Sequence, residues 1–366
     1  MEYPPSYYWA LFYFLDGFGP AATAKIMRHF PDGKTAWEAA GKELVPLNLP
    51  RKCLENYEIQ KMKLDPKPLF KALDESRIQI TSIQDKSYPQ ILTEIPSPPA
   101  LLFYKGDITL ASQGKRAAIV GTRKPSPYGE KMAGLIAEYL AKKEVSIVSG
   151  LATGIDTVAH QKAMEHGGRT IAVLGNPLVE REISPAKNQG LARQIAEKGL
   201  LLSEYPPLSS MHPANFVRRN RIISGLAADT IIVEAPKDSG ALITARFALE
   251  QNRNVYAVPG DITRPQSAGT NRLLASGAAV IASLEDLNEL FTLEKTSPGA
   301  QSSLPLAIPI ELSAEEKKIL SLLHDSPTLD ELLISSSIPY GELLGIITKM
   351  EMRKTIISRG GRYWIS

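Results

Sequence analysis

Val145-Ser146-Ile147-Val148-Ser149-Gly150-Leu151-Ala152-Thr153-Gly154-Ile155-Asp156 passes from a short β-branched run, through a loop punctuated by two glycines, into a helical pattern. An uninterrupted apolar strand of this kind is one covered on both faces, and the amphipathic helix after it supplies one of the covers. The same rhythm recurs on either side. Strand candidates lie at 117–121, 145–149, 170–174, 200–203, 230–235, 255–258 and 279–281, and helical patterns lie between them at 128–142, 155–165, 191–198 and 241–251. Strands alternating with helices predict an α/β fold, a Rossmann-like, doubly wound and mostly parallel sheet.

This core accounts for residues 73–291 and is flanked by two other kinds of sequence. Residues 1–72 are aromatic-rich and helical in character, and Gly17-Phe18-Gly19-Pro20 followed by Ala21 to Met27 fits the turn and second helix of a helix-hairpin-helix. Closely spaced glycines can turn the backbone there and bring amides to a phosphate at a helix N-terminus, although a plain helix-to-helix turn reads equally from the same residues. Residues 292–309 turn to Ser, Pro, Gly, Gln and Ala, the composition of a flexible linker. Residues 310–366 hold short helices and end in two strand-like runs around Gly360-Gly361, which predicts a small winged helix.

Bulk composition limits the function classes. At 366 residues, with 43% hydrophobic and 22% charged side chains, the chain reads as an ordinary soluble protein of two or three domains. A net charge of +3 means that any affinity for nucleic acid must come from a local patch. The single cysteine, Cys53, excludes an internal disulfide and a multi-thiolate metal site. The apolar run from Tyr7 to Leu15 is too short to span a bilayer and lacks a basic flank, so a cytoplasmic protein with no membrane span is expected.

In open α/β sheets ligands bind beyond the carboxyl ends of the strands, which directs attention to four loops. One carries Arg123 and Lys124 after Val120-Gly121-Thr122. A second is the opening loop, where Gly150 and Gly154 can offer amides to a phosphate, while Asp156 stands at the N-cap and would occupy some of them. A third runs from Glu234 to Ser239-Gly240, and a fourth is Val258-Pro259-Gly260-Asp261 with Gly269-Thr270-Asn271-Arg272 behind it. No Gly-x-Gly-x-x-Gly pattern with an acidic ribose partner is present, so no dinucleotide cofactor is expected. Asp156 and His160, four residues apart, could pair as acid and base, but read first as a cap and a satisfied core histidine. No nucleophile or metal-ligand set accompanies them, so neither a catalytic residue nor a metal is assigned.

The densest charge lies in Phe216-Val217-Arg218-Arg219-Asn220-Arg221, directly before the apolar Ile222-Ile223. Guanidinium groups this close to buried sequence must face carboxylates or a bound anion, because isolated buried charge is too costly. Either partner is compatible with the residues. If the anion is a phosphate backbone, Arg supplies bidentate hydrogen bonds and Phe216 an aromatic platform for a base.

Five ordered segments give the chain a close resemblance to a known family. They are Val120-Gly121-Thr122-Arg123; Ser149-Gly150-Leu151-Ala152 with Gly154-Ile155-Asp156 and Ala159-His160; Arg219-Asn220-Arg221-Ile222-Ile223-Ser224-Gly225-Leu226; Ser239-Gly240-Ala241-Leu242-Ile243-Thr244-Ala245; and Val258-Pro259-Gly260. Together they resemble the DNA-processing protein A family, also called Smf, whose longer members have a SAM-like N-terminal domain and a C-terminal winged helix. The resemblance implies a non-enzymatic, homodimeric protein that binds and protects single-stranded DNA during natural transformation and loads RecA recombinase onto it. It also implies a DNA pocket lined by Arg123 and by Arg219, Asn220 and Arg221, with Phe216 stacking on a base; Lys124, Gly150, Gly154, Arg218, Ser239 and Gly240 complete the candidate set. Leu273, Leu274 and residues 279–281 are candidates for a dimer interface, or simply for core. The family commonly has a proline where this chain has Val217, and the loop from Gly175 to Pro185 lacks its usual pattern, which leaves Lys187 as a minor candidate. A rival resemblance is to lysine-decarboxylase-like phosphoribohydrolases, nucleotide-processing enzymes on a similar sheet. Val258-Pro259-Gly260-Asp261 departs from their Pro-Gly-Gly-x-Gly-Thr loop.

Overall fold

The computed structural model describes residues 3–288, 314–323, 329–336, 338–339, 342–343, 346–347, 350, 356–359 and 362–365. Met1–Glu294 forms one compact unit and Lys295–Ser366 a second.

The first unit is built on a nine-stranded sheet. Its strands are β1 (Gln79–Ser82), β2 (Leu101–Gly106), β3 (Arg116–Val120), β4 (Ser146–Ser149), β5 (Thr170–Leu174), β6 (Leu200–Ser203), β7 (Asp229–Ile232), β8 (Asn254–Ala257) and β9 (Ala279–Val280). They lie in the order β1-β2-β6-β5-β4-β3-β7-β8-β9. From β6 to β9 every pair is parallel, with Ala118 opposite both Val148 and Thr230. At the other edge β1 and β2 run antiparallel, Phe103 pairing with Ile80 and with Ser203. The mostly parallel sheet is therefore as the sequence predicts, whereas β1 and β2 are strands that the repeating pattern did not reveal.

Six short helices precede the sheet: α1 (Pro20–His29), α2 (Gly33–Glu38), α3 (Gly41–Leu44), α4 (Arg51–Leu54), α5 (Tyr57–Lys63) and α6 (Lys67–Glu75). Ahead of them Pro5–Phe14 forms a 3-10 helix rather than the first α-helix of a hairpin, and Gly17, at φ 84°, turns the chain into α1. The sheet is covered by α7 (Pro127–Lys142), α8 (Ile155–Glu165), α9 (Gln189–Lys198), α10 (Pro213–Gly225), α11 (Gly240–Glu250) and α12 (Ala268–Ala275).

Alternation along each strand sorts the core. Ala117, Ile119 and Ile147 face one side and pack with Ile136 and Leu140 of α7 and Ala159 of α8. Ala118, Val120 and Val148 face the other and pack with Ile222 and Ile223 of α10 and Ala245 of α11. Burial on both faces is why these strands read as unbroken apolar runs. A third cluster joins the N-terminal helices to the sheet: Phe12, Ile26, Met27 and Phe70 share it with Phe103, Leu174, Ile195 and Leu201. Residues 1–72 thus have no core separate from that of the sheet.

The second unit has its own core, including Ile319, Leu332, Leu343 and Ile356. Its described elements are the helices Ala314–Ser321 and Leu329–Ser336 and an antiparallel ribbon of β10 (Ile356–Arg359) and β11 (Arg362–Ile365), with Ile357 opposite Trp364. The expected linker at 292–309 lies outside the described residues. Among the described residues no helix is long and apolar enough to cross a membrane.

Candidate nucleic-acid interface

Strand order reverses between β3 and β7, and crevices at such switch points are where open α/β sheets bind ligands. A pocket of about 820 Å³ opens there. Val120, Gly121, Thr122 and Arg123 line it from the end of β3, and Pro236 to Ala241 from the loop after β7 into α11. One face of α10 forms the third wall.

Helical phase decides what that wall contains. Residues three, four and seven apart share a face, so Phe216, Arg219, Asn220 and Ile223 point together into the pocket. Arg218 and Arg221 fall off this face. Arg218 is exposed to solvent and does not line the pocket. Arg221 is buried at 9% exposure and donates from Nη2 to Glu204 Oε1 at 2.7 Å. Its assignment to DNA is thus replaced by an internal ion pair. Spacing along the helix was the available signal that separates the three arginines.

Arg219 is also nearly buried, at 5% exposure, yet it reaches the pocket floor. Its Nη1 donates to Gly150 O at 2.7 Å and to Val173 O, tying α10 to the ends of β4 and β5. Its Nε donates to Asn220 Oδ1 at 3.2 Å, and Asn220 Nδ2 extends toward Gly240 O at 3.4 Å. Burial, opposed by the nearby Asp156 carboxylate, pulls the guanidinium down to about 10, so it stays charged at neutral pH. A Cβ at 150 would stand 2.7 Å from Arg219 Nη2 and 2.8 Å from Asp156 Oδ2, so a larger residue there would have to push these two side chains apart.

The glycine loop is filled from within. Asp156 is not the N-cap, a place taken by Gly154 at φ 82°; it lies in the first turn of α8. From there Oδ2 accepts from Gly150 N at 3.0 Å and from Ala152 N at 3.3 Å. Those amides already hold a carboxylate, so Gly150 is not a free phosphate donor. Burial raises the Asp156 carboxyl, while Arg219 and the two amides oppose the rise. Gly154 is half-buried and does not line the pocket.

His160 does not form an acid–base pair with Asp156. It is fully buried, with Nδ1 2.6 Å from Thr170 Oγ1, and burial together with Arg219 pulls it down to about 3. An unfolded histidine titrates near 6.5, so between about 6.5 and about 3 the unfolded chain binds a proton that the folded chain refuses. This contribution is fully present above that window and is lost as pH falls through it, by at most about 1.4 kcal/mol per pH unit. Denaturant titrations from neutral pH down to about 4 should give a His160→Gln variant a shallower loss of stability with acid than the wild type.

The remaining candidates divide. Arg123 lines the pocket and is exposed. Lys124 is exposed beyond the rim, with its amide on Thr122 Oγ1 at 3.2 Å. Ser239 and Gly240 line the pocket, and Ser239 Oγ caps α11 by accepting from Ala241 N. Phe216 is half-buried, its ring laid against residue 175, where a Cβ would come within 2.8 Å of it. Val217 takes part in the lining, and Lys187 is exposed elsewhere.

Lys237 at the rim and Glu234 behind it belong to the third loop, just past the carboxyl end of β7, but stand outside the candidate set. Glu234 is buried and fixes the Arg123 loop. Its carboxylate accepts from Ser126 N at 2.8 Å and Ser126 Oγ at 2.6 Å, and its carbonyl accepts from Thr122 N at 2.7 Å. On the dimer candidates, Leu273 packs on the core, Ile281 is buried, and Val280 of the edge strand β9 is exposed. Among the described residues no group of three or more His, Cys, Asp or Glu side chains is arranged to hold a metal.

Comparison with known proteins places this geometry. Residues 79–292 match the family model of DNA recombination-mediator protein A. The chain is 34% identical to protein Smf of Synechocystis over 94% of both chains. It is 43% identical to DNA processing protein DprA of Bacillus subtilis over 60% of this chain and 73% of that protein. Among solved structures it is similar to DNA processing protein A of Streptococcus pneumoniae, with TM-score 0.67 and 33% identity over 76% of this chain and 95% of that one. It is also similar to DNA processing protein A of Helicobacter pylori, solved to reveal its single-stranded DNA binding mode, with TM-score 0.53 and 32% identity over 59% of this chain and 97% of that one.

Proposed function

The chain belongs to the DNA recombination-mediator protein A family, and from that membership together with the pocket we propose that it is a cytoplasmic, single-stranded DNA-binding protein of natural transformation. It protects incoming strands and loads RecA recombinase onto them. One observation carries this reading: α10 presents Phe216, Arg219 and Asn220 to a pocket that Arg123 also lines from the end of β3. A cationic groove with an aromatic platform suits any sequence of single strand, because every base has a π-face and every nucleotide a phosphate. Arg123 and Lys237 meet phosphates at the rim, and Arg219 makes the floor positive. Phe216 stacks on a base, and Ser239 and Gly240 contact the strand beside it.

We read the protein as one that binds without a reaction of its own. The buried carboxylates at and behind the pocket are committed to protein donors, Asp156 to amides and Glu234 to Ser126, while Asp238 lines the pocket exposed to solvent. The SAM-like and winged-helix readings of the terminal segments belong to the same proposal, as does a homodimer through the edge near Leu274 and Val280.

Affinity measured against salt tests the pocket. Arg123→Glu is expected to weaken single-strand binding and to flatten the slope of log affinity on log salt by about 0.7, the share of one phosphate. Phe216→Ala is expected to weaken binding by about 1 to 3 kcal/mol with the slope kept, since a stack releases few counterions. If both variants bind as the wild type does, the pocket is not the DNA site. Release of free base from nucleoside monophosphates would instead support the nucleotide-processing reading.

A further inference from the structure

Tyr128, at the start of α7, is the single aromatic among the exposed large hydrophobic side chains of the described residues, at 37% exposure. It does not line the pocket and follows the Arg123 loop in the chain, in the first turn of α7. Its hydroxyl donates to Pro259 O at 2.9 Å, which holds the phenol against the turn after β8 while leaving ring surface in solvent. That turn is itself pinned: Asn271 exchanges two hydrogen bonds with the backbone of Gly260, at 2.9 and 3.1 Å, and Asp261 Oδ1 accepts from Thr263 N and Oγ1 at 2.8 Å. Its next residue, Ile262, is 91% exposed.

The charge around the ring has the sign a phosphate backbone requires. Lys124 and Lys131 are both exposed, Lys131 one helical turn beyond Tyr128; on the pinned turn Arg264 is paired with Asp261 at 3.8 Å, and Glu130 is an exposed carboxylate on α7. Burial and the Glu234 carboxylate raise the phenol, so it remains a protonated donor to Pro259 at neutral pH. Behind it, the bonds from Glu234 to Ser126 hold the first turn of α7 to β7. A rigidly mounted, solvent-facing ring beside lysines is the construction of a base-stacking platform.

We propose that Tyr128 is a second base-stacking platform, with the exposed Ile262 on the turn it is bonded to, which carries a single strand out of the pocket past Arg123 and Lys124. It rests on the single-strand reading of the pocket and lengthens the strand's path from one aromatic to two.

The test uses the full chain and a fluorescently labelled oligothymidylate long enough to pass both rings, about 20 nucleotides. Tyr128→Ala is expected to lose between about fivefold and about a hundredfold in affinity, the range of one base–aromatic stack, with the salt slope unchanged. Tyr128→Phe, which keeps the ring and loses the bond to Pro259, is expected to bind as the wild type does. Ultraviolet cross-linking of the wild-type complex should place a thymine adduct on Tyr128. Wild-type affinity in a folded Tyr128→Ala variant overturns the proposal. So does a Tyr128→Phe variant that falls with it, since the residue would then only brace the turn. Arg123→Glu measured in parallel separates the two ideas: loss there without loss at Tyr128→Ala sinks the platform alone, whereas no loss at Arg123→Glu sinks the pocket.

Discussion

Arg219→Ala is expected to destabilise the first unit by about 3 to 5 kcal/mol, the cost of leaving a buried carboxylate without the charge that offsets it. Gly150 O, Val173 O and Asn220 Oδ1 lose a donor, and a buried carboxylate loses its counter-charge. Gly150 O and Val173 O, at the ends of adjacent strands, are left without the guanidinium that bridges them. The Asp156 carboxylate, buried and facing the same guanidinium across Gly150, loses its counter-charge. Arg219→Lys keeps the charge but lacks the planar fork, so it should recover only part of the loss. Adding Asp156→Asn to Arg219→Ala should restore more of it, because the stranded charge is then gone. Urea unfolding of the four proteins gives the comparison; equal stability of Arg219→Ala and wild type would show that the bridge contributes nothing. Loss of DNA binding in an Arg219 variant is therefore informative only alongside its stability.

Glu204→Ala is expected to cost a similar amount, about 3 to 5 kcal/mol, while leaving the single-strand affinity of the folded protein unchanged. Arg221 has one ionic partner in Glu204, and its Nη1 is buried without a hydrogen bond already. Removing the carboxylate strands the whole cation among Tyr13, Tyr88 and the core. Replacing both members with apolar residues of similar size, Arg221→Met with Glu204→Leu, should recover most of the stability, since packed hydrophobic pairs commonly match buried ion pairs. Chemical denaturation combined with anisotropy of labelled DNA reads both quantities. A drop in affinity for the double variant at full stability would return Arg221 to the binding surface.

These two arginines lie two residues apart, and they show where sequence reading succeeds and where it stops. The parallel strands were legible because burial on both faces leaves an unmistakable apolar run. β1, Gln79–Ser82, is short, polar and at the edge, and β2 pairs antiparallel outside the repeating unit, so neither carries that signature. The loops of the site were legible for a topological reason: whatever the residues, ligands sit beyond strand ends near the reversal of strand order. What a cluster of charges does is another matter. Arg218, Arg219 and Arg221 look alike as letters, and only the helical phase and the tertiary partner divide them into a solvent charge, a pocket floor and a core ion pair. Asp156 repeats the lesson, since a glycine loop that could hold a phosphate holds a carboxylate of its own.

The core shared between the N-terminal helices and the sheet also bears on modularity. Phe12, Ile26 and Phe70 lean on the same cluster as Phe103 and Leu201, so a fragment cut at residue 73 would present a ready-made apolar face to water. Such a face invites aggregation, and a trimmed version would need new polar residues there before it could serve as a stand-alone part. The helices are in this sense a fixture of the sheet rather than an attachment to it, and a fusion or truncation made at that point cuts through a core rather than through a hinge.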